Sequence, residues 1–552
     1  MTIQEKFAGL GIDNAPGQEA LQKKEALDLR GEKLLGARVD FSHGDVDAHM
    51  PTPGSFDVFK EGFEEGGSQA YTPYRGRKKI LDHVAASLSG FTGASIDPEE
   101  NLILTPGTQG ALFLAMGANI MPGDKVAIVE PDYFANRKMV EFFGGQMVPV
   151  VLEYENEGGR AGIRLESLEE AFKDGVKLFL FSNPNNPVGC VYSYEEITGI
   201  AALAKKYGVT LIVDELYSRQ VYPGIPYTHL CAQKEIPENL ITILGPSKTE
   251  SLSGFRLGAA FGTAEIIERM EKLQAIMALR CSGYNQAVFL TWFHEPDGWL
   301  EARVRAHKEI RDAVMEVIRD VPGVSAKPTE GGSYLFVTIP ELDVSLHQFI
   351  RIVRELADVI VTPGTEFGPQ YVHQFRINFS QDKEKAAAAM AVCSHGAVQK
   401  TVNREEKTMG KEANPIPQGK YVPAVRFGDL VFTAGMTPRN NGVLIKEGKV
   451  LCADAIEDYR DAVRQAARNA LTSAKNRLEE GEEIAGILSV TVYVNAEEGF
   501  TKQSKIADLA SEYFCEELGE AGVGSRVAVG VASLPGNAPV EISIVAGVKK
   551  NP

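Results

Sequence analysis

Between residues 102 and 261, short apolar runs of strand length alternate with segments whose apolar residues recur at helical spacing. Each run is apolar at nearly every position, which is typical of strands that are covered on both faces in a parallel sheet. The alternation therefore predicts an α/β fold with a mostly parallel sheet between layers of helices. The predicted strands are 102–104, 126–129, 147–151, 178–181, 210–213, 241–244 and 259–261.

Helical patterns accompany these strands and continue beyond them. Residues 80–88, 111–120 and the long segment 297–319 all carry apolar residues at helical spacing. The long segment leads into a smaller α+β portion, with strands predicted at 332–339 and 375–379.

The length of the chain requires more than one domain. A single hydrophobic core stops growing at roughly 250–300 residues, and the chain has 552. Residues 396–415 are charged and irregular, as in a linker. We therefore predict a first domain at 1–395, whose smaller part comes from about 1–50 and 296–395, and a second domain at 416–552.

The second domain has a different pattern from the first. Strands are followed by a helix, then a strand, a second helix and two final strands, which predicts an antiparallel-type α+β domain. The predicted elements are strands within 422–435, a turn at 439–442, a helix at 456–478, a strand at 487–494, a helix at 501–518 and final strands on either side of 534–539.

Composition excludes several classes of protein. The chain is 44% hydrophobic and has a formal net charge of −17, without a sustained Lys/Arg run, which argues against nucleic acid as a main partner. Its six cysteines form no CxxC pair, so neither a metal site nor a disulfide framework is predicted. No apolar run has the length of a membrane span, and we expect a cytoplasmic protein without membrane contact.

Polar residues follow three of the predicted strands at the point where each strand ends. The loop 183–189 reads Asn-Pro-Asn-Asn-Pro-Val-Gly, Asp214 and Tyr217 follow the next strand, and Lys248 and Arg256 follow the one after. Open α/β sheets place their ligands at the carboxyl ends of strands. An acid, a tyrosine and a lysine there are the groups that hold a pyridinium cofactor by its ring nitrogen, phenolic oxygen and aldehyde.

Each of these residues also has a structural interpretation when it is taken alone. Lys248 fits a solvated lysine in a surface loop, and Asp214 and Arg376 fit members of structural ion pairs. Tyr133 fits a core aromatic residue, and the loop 183–189 fits an ordinary turn. The functional interpretation rests on their joint order along the chain.

That joint order resembles the class I/II aminotransferase family, whose members are pyridoxal-phosphate (PLP) enzymes of fold type I. The resemblance covers roughly residues 35–395 and rests on Asn-Pro-Val-Gly, Asp-x-x-Tyr and Ser-Lys, with an arginine eight residues after the lysine. It implies a three-layer α/β domain with a smaller α+β part.

The resemblance also implies roles for individual residues. Lys248 is expected to form the Schiff base with the cofactor and to move a proton at the substrate α-carbon, and Asp214 to keep the pyridine nitrogen protonated. The remaining expected cofactor contacts are Asn186 and Tyr217 at the phenolic oxygen, Gly107, Thr108, Gln109, Ser247 and Arg256 at the phosphate, and Tyr133 stacked on the ring.

Substrate contacts and a partner subunit are implied in the same way. Arg376, in Phe-Arg-Ile-Asn-Phe, is expected to bind the α-carboxylate by a bidentate pair, and Gly44 to lie at the substrate. Tyr71 resembles the tyrosine that reaches the phosphate of a neighbouring subunit, which implies at least a dimer.

Two further positions, Gly245 and Arg280, bear on ligand binding. Gly245 stands where many relatives have a phosphate-binding serine, and Arg280 lies near an arginine that binds a second substrate carboxylate in some relatives, although it also fits an ordinary helix-end arginine.

In the second domain, Arg526 and Glu541 lie at what we predict to be neighbouring strand ends, where they fit either a surface ion pair or a site that binds a carboxylate and orients a water. The stretches Leu430-Val-Phe-Thr-Ala-Gly and Ser525-Arg-Val-Ala-Val resemble the RidA (YjgF) family of enamine/imine deaminases over roughly residues 417–548. The resemblance implies a chorismate-mutase-like α+β fold and trimers with sites between subunits. It assigns the substrate carboxylate to Arg526, the hydrolytic water to Glu541 and pocket contacts to Tyr421 and Gly435. Asp508 stands near a usual asparagine, which predicts altered specificity or reduced activity.

Together, the two resemblances suggest a bifunctional enzyme acting on an amino acid. Our leading hypothesis is that the first domain eliminates a β or γ substituent, and that the second hydrolyses the released enamine or imine to a keto acid and ammonia. Plain transamination fits the first domain equally well, and the second domain would then protect against stray enamines or assemble the protein. Dimeric and trimeric contacts combined would build a hexamer.

Overall fold

The computed structural model describes residues 38–43, 48–154, 161–342, 345–391, 394, 415, 421–440, 442–478 and 481–550. The chain divides into two compact units, 1–401 and 402–552. Gly44 and all of the predicted linker except Pro415 lie outside the described residues.

The first unit contains fourteen described strands, and their bounds follow the apolar runs of the sequence. The predicted strands between residues 102 and 261 all lie within strands of the structure. The strands are β1 Val39–Asp40, β2 Leu102–Pro106, β3 Lys125–Glu130, β4 Gln146–Glu153, β5 Gly162–Ile163, β6 Val176–Ser182, β7 Thr210–Asp214, β8 Leu240–Leu244, β9 Leu257–Gly262, β10 Ser325–Ala326, β11 Tyr334–Thr338, β12 Val359–Ile360, β13 Thr362–Pro363 and β14 Gln374–Asn378.

Local sequence signals start and end the helices between these strands. The helix Tyr194–Tyr207, for example, begins at a capping box between Ser193 and Glu196 and ends at Gly208, whose φ of 66° favours glycine. The helices are α1 Ser55–Glu64, α2 Gly67–Ala70, α3 Lys78–Thr92, α4 Gly107–Gly117, α5 Phe134–Phe142, α6 Leu165–Lys173, α7 Tyr194–Tyr207, α8 Ala264–Met277, α9 Trp299–Arg319, α10 Leu346–Ala357 and α11 Lys383–Ala391.

An eight-stranded sheet in the order β2-β9-β8-β7-β6-β3-β4-β5 forms the centre of the first unit. The pairs from β8 to β4 are parallel, and β9 is antiparallel to both of its neighbours. Hydrophobic clusters cover both faces, one containing α4, α5 and α8 and the other α6 and α7. The predicted α/β fold is confirmed, because the parallel strands are covered by helices on both faces.

A four-stranded antiparallel sheet, in the order β10-β11-β14-β13, forms the smaller part of the first unit. Its core joins residues of α9, α10 and α11 with Val39 and Phe41, so the chain before the large sheet packs into the smaller part. The predicted strands 332–339 and 375–379 correspond to β11 and β14. Strand β14 carries Arg376, which the sequence predicts as a substrate-binding residue.

The second unit is a five-stranded sheet, in the order β15-β16-β21-β19-β20, covered on one face by two helices. Three pairings are antiparallel, but β19 and β20 are parallel, so the predicted antiparallel type is only partly correct. The elements are β15 Ala424–Phe427, β16 Leu430–Thr433, β17 Arg439–Asn440, β18 Val443–Leu444, α12 Arg460–Lys475, β19 Glu482–Asn495, α13 Gln503–Leu518, β20 Ser525–Val531 and β21 Val540–Lys550.

Within the described part of the chain, no helix combines the length and the apolar character needed to cross a membrane. The same part contains no group of three or more His, Cys, Asp or Glu side chains placed to hold a metal ion.

Candidate functional site

Three neighbouring parallel strands, β6, β7 and β8, end at the same edge of the large sheet, and the loops that follow them meet there. Ser182 lies opposite Asp214 in the register, and Asp214 lies opposite Ile243 on β8. Lys248 follows β8 and is half-buried. The fold therefore brings together the loops in which the sequence places the asparagine, acid and lysine of the candidate site.

Asp214 is a buried carboxylate at the end of β7. Its Oδ1 accepts a hydrogen bond of 3.1 Å from the backbone N–H of Leu216, and burial raises its pKa to about 6. A buried carboxylate is stabilised in its charged form by an adjacent cation. The position thus fits a partner with a protonated ring nitrogen.

A second buried carboxylate, Asp132, was not singled out in the sequence. It follows β3, accepts hydrogen bonds of 2.9 and 2.7 Å from the backbone N–H and the hydroxyl of Ser182, and receives the backbone N–H of Tyr133 at 2.6 Å. Burial raises its pKa to about 7. Asp132 ties the loop after β3 to the end of β6 and so holds the predicted ring-stacking residue Tyr133 against the same edge.

Tyr217 and a second tyrosine, Tyr334, form a buried pair beside this edge. The Tyr217 hydroxyl donates to the Tyr334 hydroxyl at 2.6 Å, and the two rings meet edge to face with centroids 5.4 Å apart. Burial raises the pKa of Tyr217 well above its usual value, so the hydroxyl remains protonated and able to donate. Tyr334 was missed because its strand, Tyr-Leu-Phe-Val-Thr, reads as ordinary core.

Arg376, on β14, joins these groups from the smaller part of the unit. Its Nη1 donates to Asn186 Oδ1 at 3.1 Å, and its guanidinium lies 4.3 Å from the centre of the Tyr334 ring. The other Nη donates to the carbonyl of Ser42 at 3.0 Å and to Thr362 at 3.3 Å.

The charge of Arg376 is buried without an acidic partner among the described residues. Its Nε is buried without a hydrogen-bond partner, and no carboxylate of the described residues lies within ion-pair distance of the guanidinium. Arg376 is only 3% exposed. A buried guanidinium without a carboxylate is costly unless it receives an anion, so Arg376 fits a site for a ligand carboxylate.

A cradle of small residues and N–H groups lies at the start of α4. Gly107 has a φ of 75° and begins the helix, so the helix starts before the predicted 111–120 segment. A Cβ at Gly107 would collide with the guanidinium of Arg256, which places that guanidinium directly over the helix start. The first backbone N–H groups of a helix and an adjacent arginine form an anion site.

Other predicted members of this cradle surround it. Thr108 and Ser247 are buried, and the buried Oε1 of Gln109 has no hydrogen-bond partner. A Cβ at Gly245 would lie 2.8 Å from Thr108 Cγ2 and 3.0 Å from the carbonyl oxygen of Leu257. A side chain at Gly245 would therefore require the backbone of this cradle to shift. The residues present fit a phosphorylated ligand.

The remaining predicted positions of the first unit are Tyr133, Tyr71 and Arg280. Tyr133 is half-buried, packs on Phe134 with centroids 4.7 Å apart, and its pKa is raised to about 12 by burial. Tyr71 is 78% exposed, away from the buried pair of tyrosines. The guanidinium of Arg280 lies 5.1 Å from the Tyr71 ring centre and donates to the carbonyl of Thr72. Tyr71 and Arg280 therefore form one surface feature.

In the second unit, Arg526 and Glu541 do not share a site within one chain. Strand β19 separates β20 from β21, so the predicted neighbouring strand ends are wrong. Arg526 pairs in register with Val490 of β19, whereas Glu541 pairs with Tyr493, three residues further on. Because side chains alternate along a strand, the two charged groups project from opposite faces of the sheet.

Glu541 projects from the face that the helices leave uncovered, here called the open face. Its carboxylate fills the space beside Gly435, where a Cβ would overlap it, and burial raises its pKa. Tyr421 is exposed at the start of the unit. The open face also carries exposed apolar side chains, namely Val425, Phe427, Phe432, Val527 and Val529.

Arg526 projects from the face that α13 covers. Its Nη2 lies 2.9 Å from Asp508 Oδ1, and its Nη1 donates to Ser511 Oγ at 2.9 Å. The sequence predicted Asp508 as a departure near a usual asparagine, but it did not predict this ion pair, which requires α13 to pack on β20.

Comparison with known proteins gives matches to both units. A family model described as aminotransferase class I and II matches residues 41–392, and one described as endoribonuclease L-PSP, the family of the RidA proteins, matches residues 411–548. Both sequence-based resemblances are thereby confirmed.

Individual relatives agree with the first match. The chain is 56% identical to a solved structure of an aspartate aminotransferase from Rhodobacter sphaeroides, with 72% of this chain and 99% of that chain covered and a TM-score of 0.68. It is 28% identical to an aspartate aminotransferase of Musicola paradisiaca, over 66% of this chain and 90% of the relative. It is 25% identical to an arginine–pyruvate transaminase of Pseudomonas aeruginosa, over 66% of this chain and 91% of the relative.

Proposed function

The chain belongs to the class I and II aminotransferase family, and we propose that its first unit transfers the amino group of a dicarboxylic amino acid. Members of the family depend on PLP. The observation that carries the proposal is the buried guanidinium of Arg376, which contacts Asn186 and Tyr334 and has no carboxylate among the described residues. It supplies one site for a substrate α-carboxylate.

PLP, when bound, supplies an electron sink for the negative charge that develops at the substrate α-carbon. Gly107, Thr108, Gln109, Ser247 and Arg256 would hold its phosphate.

Four side chains would hold the ring or act beside it. Asp214 would hold a proton at the ring nitrogen, because a buried carboxylate with a raised pKa gains from a shared proton or a cationic partner. Asn186 would donate a hydrogen bond to the ring oxygen, and the protonated hydroxyl of Tyr217 would turn its single proton from Tyr334 to the same oxygen. The amine of Lys248 would remove a proton at the α-carbon and return it.

Aspartate is the substrate with which to start, for two reasons. The solved structure with 56% identity is titled an aspartate aminotransferase. A dicarboxylic substrate also needs a second cation, and the guanidinium of Arg280 lies beside the exposed Tyr71. The resemblance implies that Tyr71 reaches a neighbouring subunit, so we assign Arg280 to the second carboxylate of a substrate bound by a partner copy.

The test is amino transfer from aspartate to 2-oxoglutarate by the full-length holoenzyme. We expect glutamate and oxaloacetate, and we expect Lys248→Ala to lose both the activity and the absorbance band of the lysine-bound cofactor. Arg280→Ala should raise KM for aspartate much more than KM for alanine. Equal effects on the two substrates would exclude Arg280 from side-chain recognition, and a colourless protein without activity would contradict the function.

The second unit is a RidA domain, and we propose that it hydrolyses an enamine or imine with water to a 2-oxo acid and ammonia. Since Arg526 and Glu541 project from opposite faces of the sheet, one chain cannot bring them to one ligand. The proposed site therefore combines Arg526 of one copy with Glu541, Gly435 and Tyr421 of another. The exposed apolar side chains of the open face support such self-association.

This proposal predicts both an assembly and an activity. Trimeric contacts through the second unit and dimeric contacts through the first would give a hexamer, which light scattering measures. Glu541→Gln should lower imine hydrolysis without dissociating the assembly. A hexamer in which this substitution changes nothing would leave the second unit with an assembly role only.

Elimination of a β or γ substituent is the second candidate function of the first unit. It is favoured by the RidA domain on the same chain, because elimination releases an enamine, the kind of product that the proposed hydrolysis would consume, whereas transfer does not. A panel of amino acids without an oxo-acid acceptor separates the two reactions. Ammonia and oxo acid formed over many turnovers would indicate elimination, and a single turnover that stops would indicate transfer.

A further inference from the structure

The guanidinium of Arg526 is held by a stripe of polar side chains on α13. Ser504, Asp508 and Ser511 lie four and three residues apart, so they line one side of the helix. Arg526 donates to Ser511 Oγ at 2.9 Å, to Asp508 Oδ1 at 2.9 Å and to Ser504 Oγ at 3.3 Å. Both terminal nitrogens of the guanidinium are thus engaged by the helix.

Asp508 carries a full negative charge at neutral pH. Partial burial opposes ionisation, but hydrogen bonds from Arg526 and Lys505 lower the pKa of Asp508 below its usual value. Lys505 lies 3.3 Å from the second carboxylate oxygen and is largely exposed to water. The ion pair with Arg526 is also partly exposed, with side chains 22% and 40% accessible, so a ligand can reach it.

A carboxylate that approaches Arg526 meets two opposing charges. It is attracted by the guanidinium and repelled by Asp508, which already occupies one terminal nitrogen. A ligand that carries a positive nitrogen next to its carboxylate avoids this conflict, because the nitrogen pairs with Asp508. Among the species in imine hydrolysis, the protonated imine of an imino acid is such a zwitterion, whereas the 2-oxo acid product is a plain anion.

We propose that Asp508 is a specificity-determining residue that makes the Arg526 site prefer zwitterionic carboxylates over plain anionic ones. This inference rests on the proposed function for the choice of imino acids as ligands. The preference itself follows from the pair of charges. It would weaken retention of the oxo-acid product relative to the protonated imine.

The test uses two probes of the same shape that differ in charge and react with neither unit. Glycine betaine carries a trimethylammonium group next to a carboxylate, and 3,3-dimethylbutanoate has carbon in place of the nitrogen. Binding of each to the full-length holoenzyme is measured by ligand-observed NMR titration. The same titrations of Arg526→Ala show how much of the binding of each probe depends on the Arg526 site.

We expect Asp508→Asn to shift the ratio of the two dissociation constants by about fivefold towards dimethylbutanoate, the factor for a partly exposed pair. Lys505→Gln is the matched control, since it removes a charge from the same turn of α13 but leaves the Asp508–Arg526 pair, and it should not shift the ratio towards dimethylbutanoate. An unchanged ratio in Asp508→Asn would overturn the inference, as would unchanged binding of both probes in Arg526→Ala.

Failure of the proposed function has a separate readout. If Glu541→Gln leaves imine hydrolysis unchanged, the hydrolytic role is wrong, while the probe ratio still decides the role of Asp508. Conversely, normal hydrolysis with an unchanged ratio would reject Asp508 as the selective residue and leave the hydrolytic role intact.

Discussion

The two units each present an arginine to a candidate carboxylate site, but they treat its charge in opposite ways. Arg376 of the first unit is buried, and no carboxylate among the described residues pairs with it. Arg526 of the second unit is partly exposed and lies 2.9 Å from Asp508. A ligand carboxylate at Arg376 would meet a buried guanidinium without a counterion. At Arg526, it must compete with the carboxylate of Asp508.

The presence of an arginine therefore does not by itself define the ligand. A buried charge without a counterion gains several kilocalories per mole from an incoming carboxylate, whereas a paired and hydrated charge gains little. The first site should therefore bind substrate tightly through its arginine, and the second should depend on additional groups.

The largest expected effect is at Arg376. We expect Arg376→Ala to lower kcat/KM for amino transfer about 100- to 1,000-fold, because removing one partner of a buried charge pair costs roughly 2–5 kcal/mol. Steady-state kinetics with aspartate measure this. Arg376→Lys keeps the charge but not the two parallel N–H groups, and should recover part of the loss. If Arg376→Ala lowers kcat/KM less than tenfold, Arg376 gains no more from its ligand than Arg526 does.

The two aspartates Asp214 and Asp508 should change the stability of the protein with pH in opposite directions. In cofactor-free protein, burial raises the pKa of Asp214 from 3.8 to about 6, so its stabilising contribution is full below pH 4 and is lost as pH rises through 6. The loss amounts to at most roughly 3 kcal/mol. Asp508 has a lowered pKa, so its contribution has the opposite sign and is lost as the solution becomes acidic.

Denaturant unfolding of cofactor-free protein between pH 4 and 7 tests this prediction. Asp214→Asn should flatten the decline in stability over that range, whereas Asp508→Asn should not. Asp132, whose pKa is about 7, keeps part of the decline in both variants. If stability depends on pH in the same way in Asp214→Asn as in the unchanged protein, burial does not raise the pKa of Asp214.

A smaller effect is expected at Gly245, where the first site is rigid. Gly245→Ala places a methyl group 3.0 Å from the backbone carbonyl of Leu257, so the backbone of the cradle must move. Overpacking of this kind costs roughly 1–3 kcal/mol. We expect a lower melting temperature and faster loss of cofactor on dialysis. Gly254→Ala, whose Cβ would contact nothing, is the matched control in the same loop. Equal behaviour of the two variants would contradict the close approach.

The smallest effect is expected at Arg526. Arg526→Ala should lower kcat/KM for imine hydrolysis only about tenfold, because a partly exposed guanidinium that already pairs with Asp508 gains roughly 1 kcal/mol from a substrate carboxylate. Imino acids generated in situ from amino acids provide the assay. A loss as large as that of Arg376→Ala in amino transfer would mean that Asp508 does not restrain Arg526.

Much of the first site could be predicted from the sequence because its residues follow short buried strands. Once 178–181, 210–213 and 241–244 are recognised as neighbouring parallel strands, Asn186, Asp214 and Lys248 must meet at one edge. Tyr334 could not be found in this way, since its position on β11 is indistinguishable from core in a sequence pattern.

The second site was less predictable because it depends on long-range pairing. The final two strands are consecutive in the chain, yet β19 pairs between them, and this separates Arg526 from Glu541. A shift of three residues in register also places them on opposite faces. Neither fact leaves a trace in local periodicity, and the pairing of Asp508 with Arg526 depends on how α13 packs.

Both activities should be measured in two full-length variants, Lys248→Ala and Glu541→Gln. We predict that Lys248→Ala abolishes amino transfer from aspartate and retains imine hydrolysis, and that Glu541→Gln retains transfer and loses most hydrolysis. Amino transfer that survives in Lys248→Ala, or hydrolysis that is undiminished in Glu541→Gln, would contradict the assignment of one reaction to each unit.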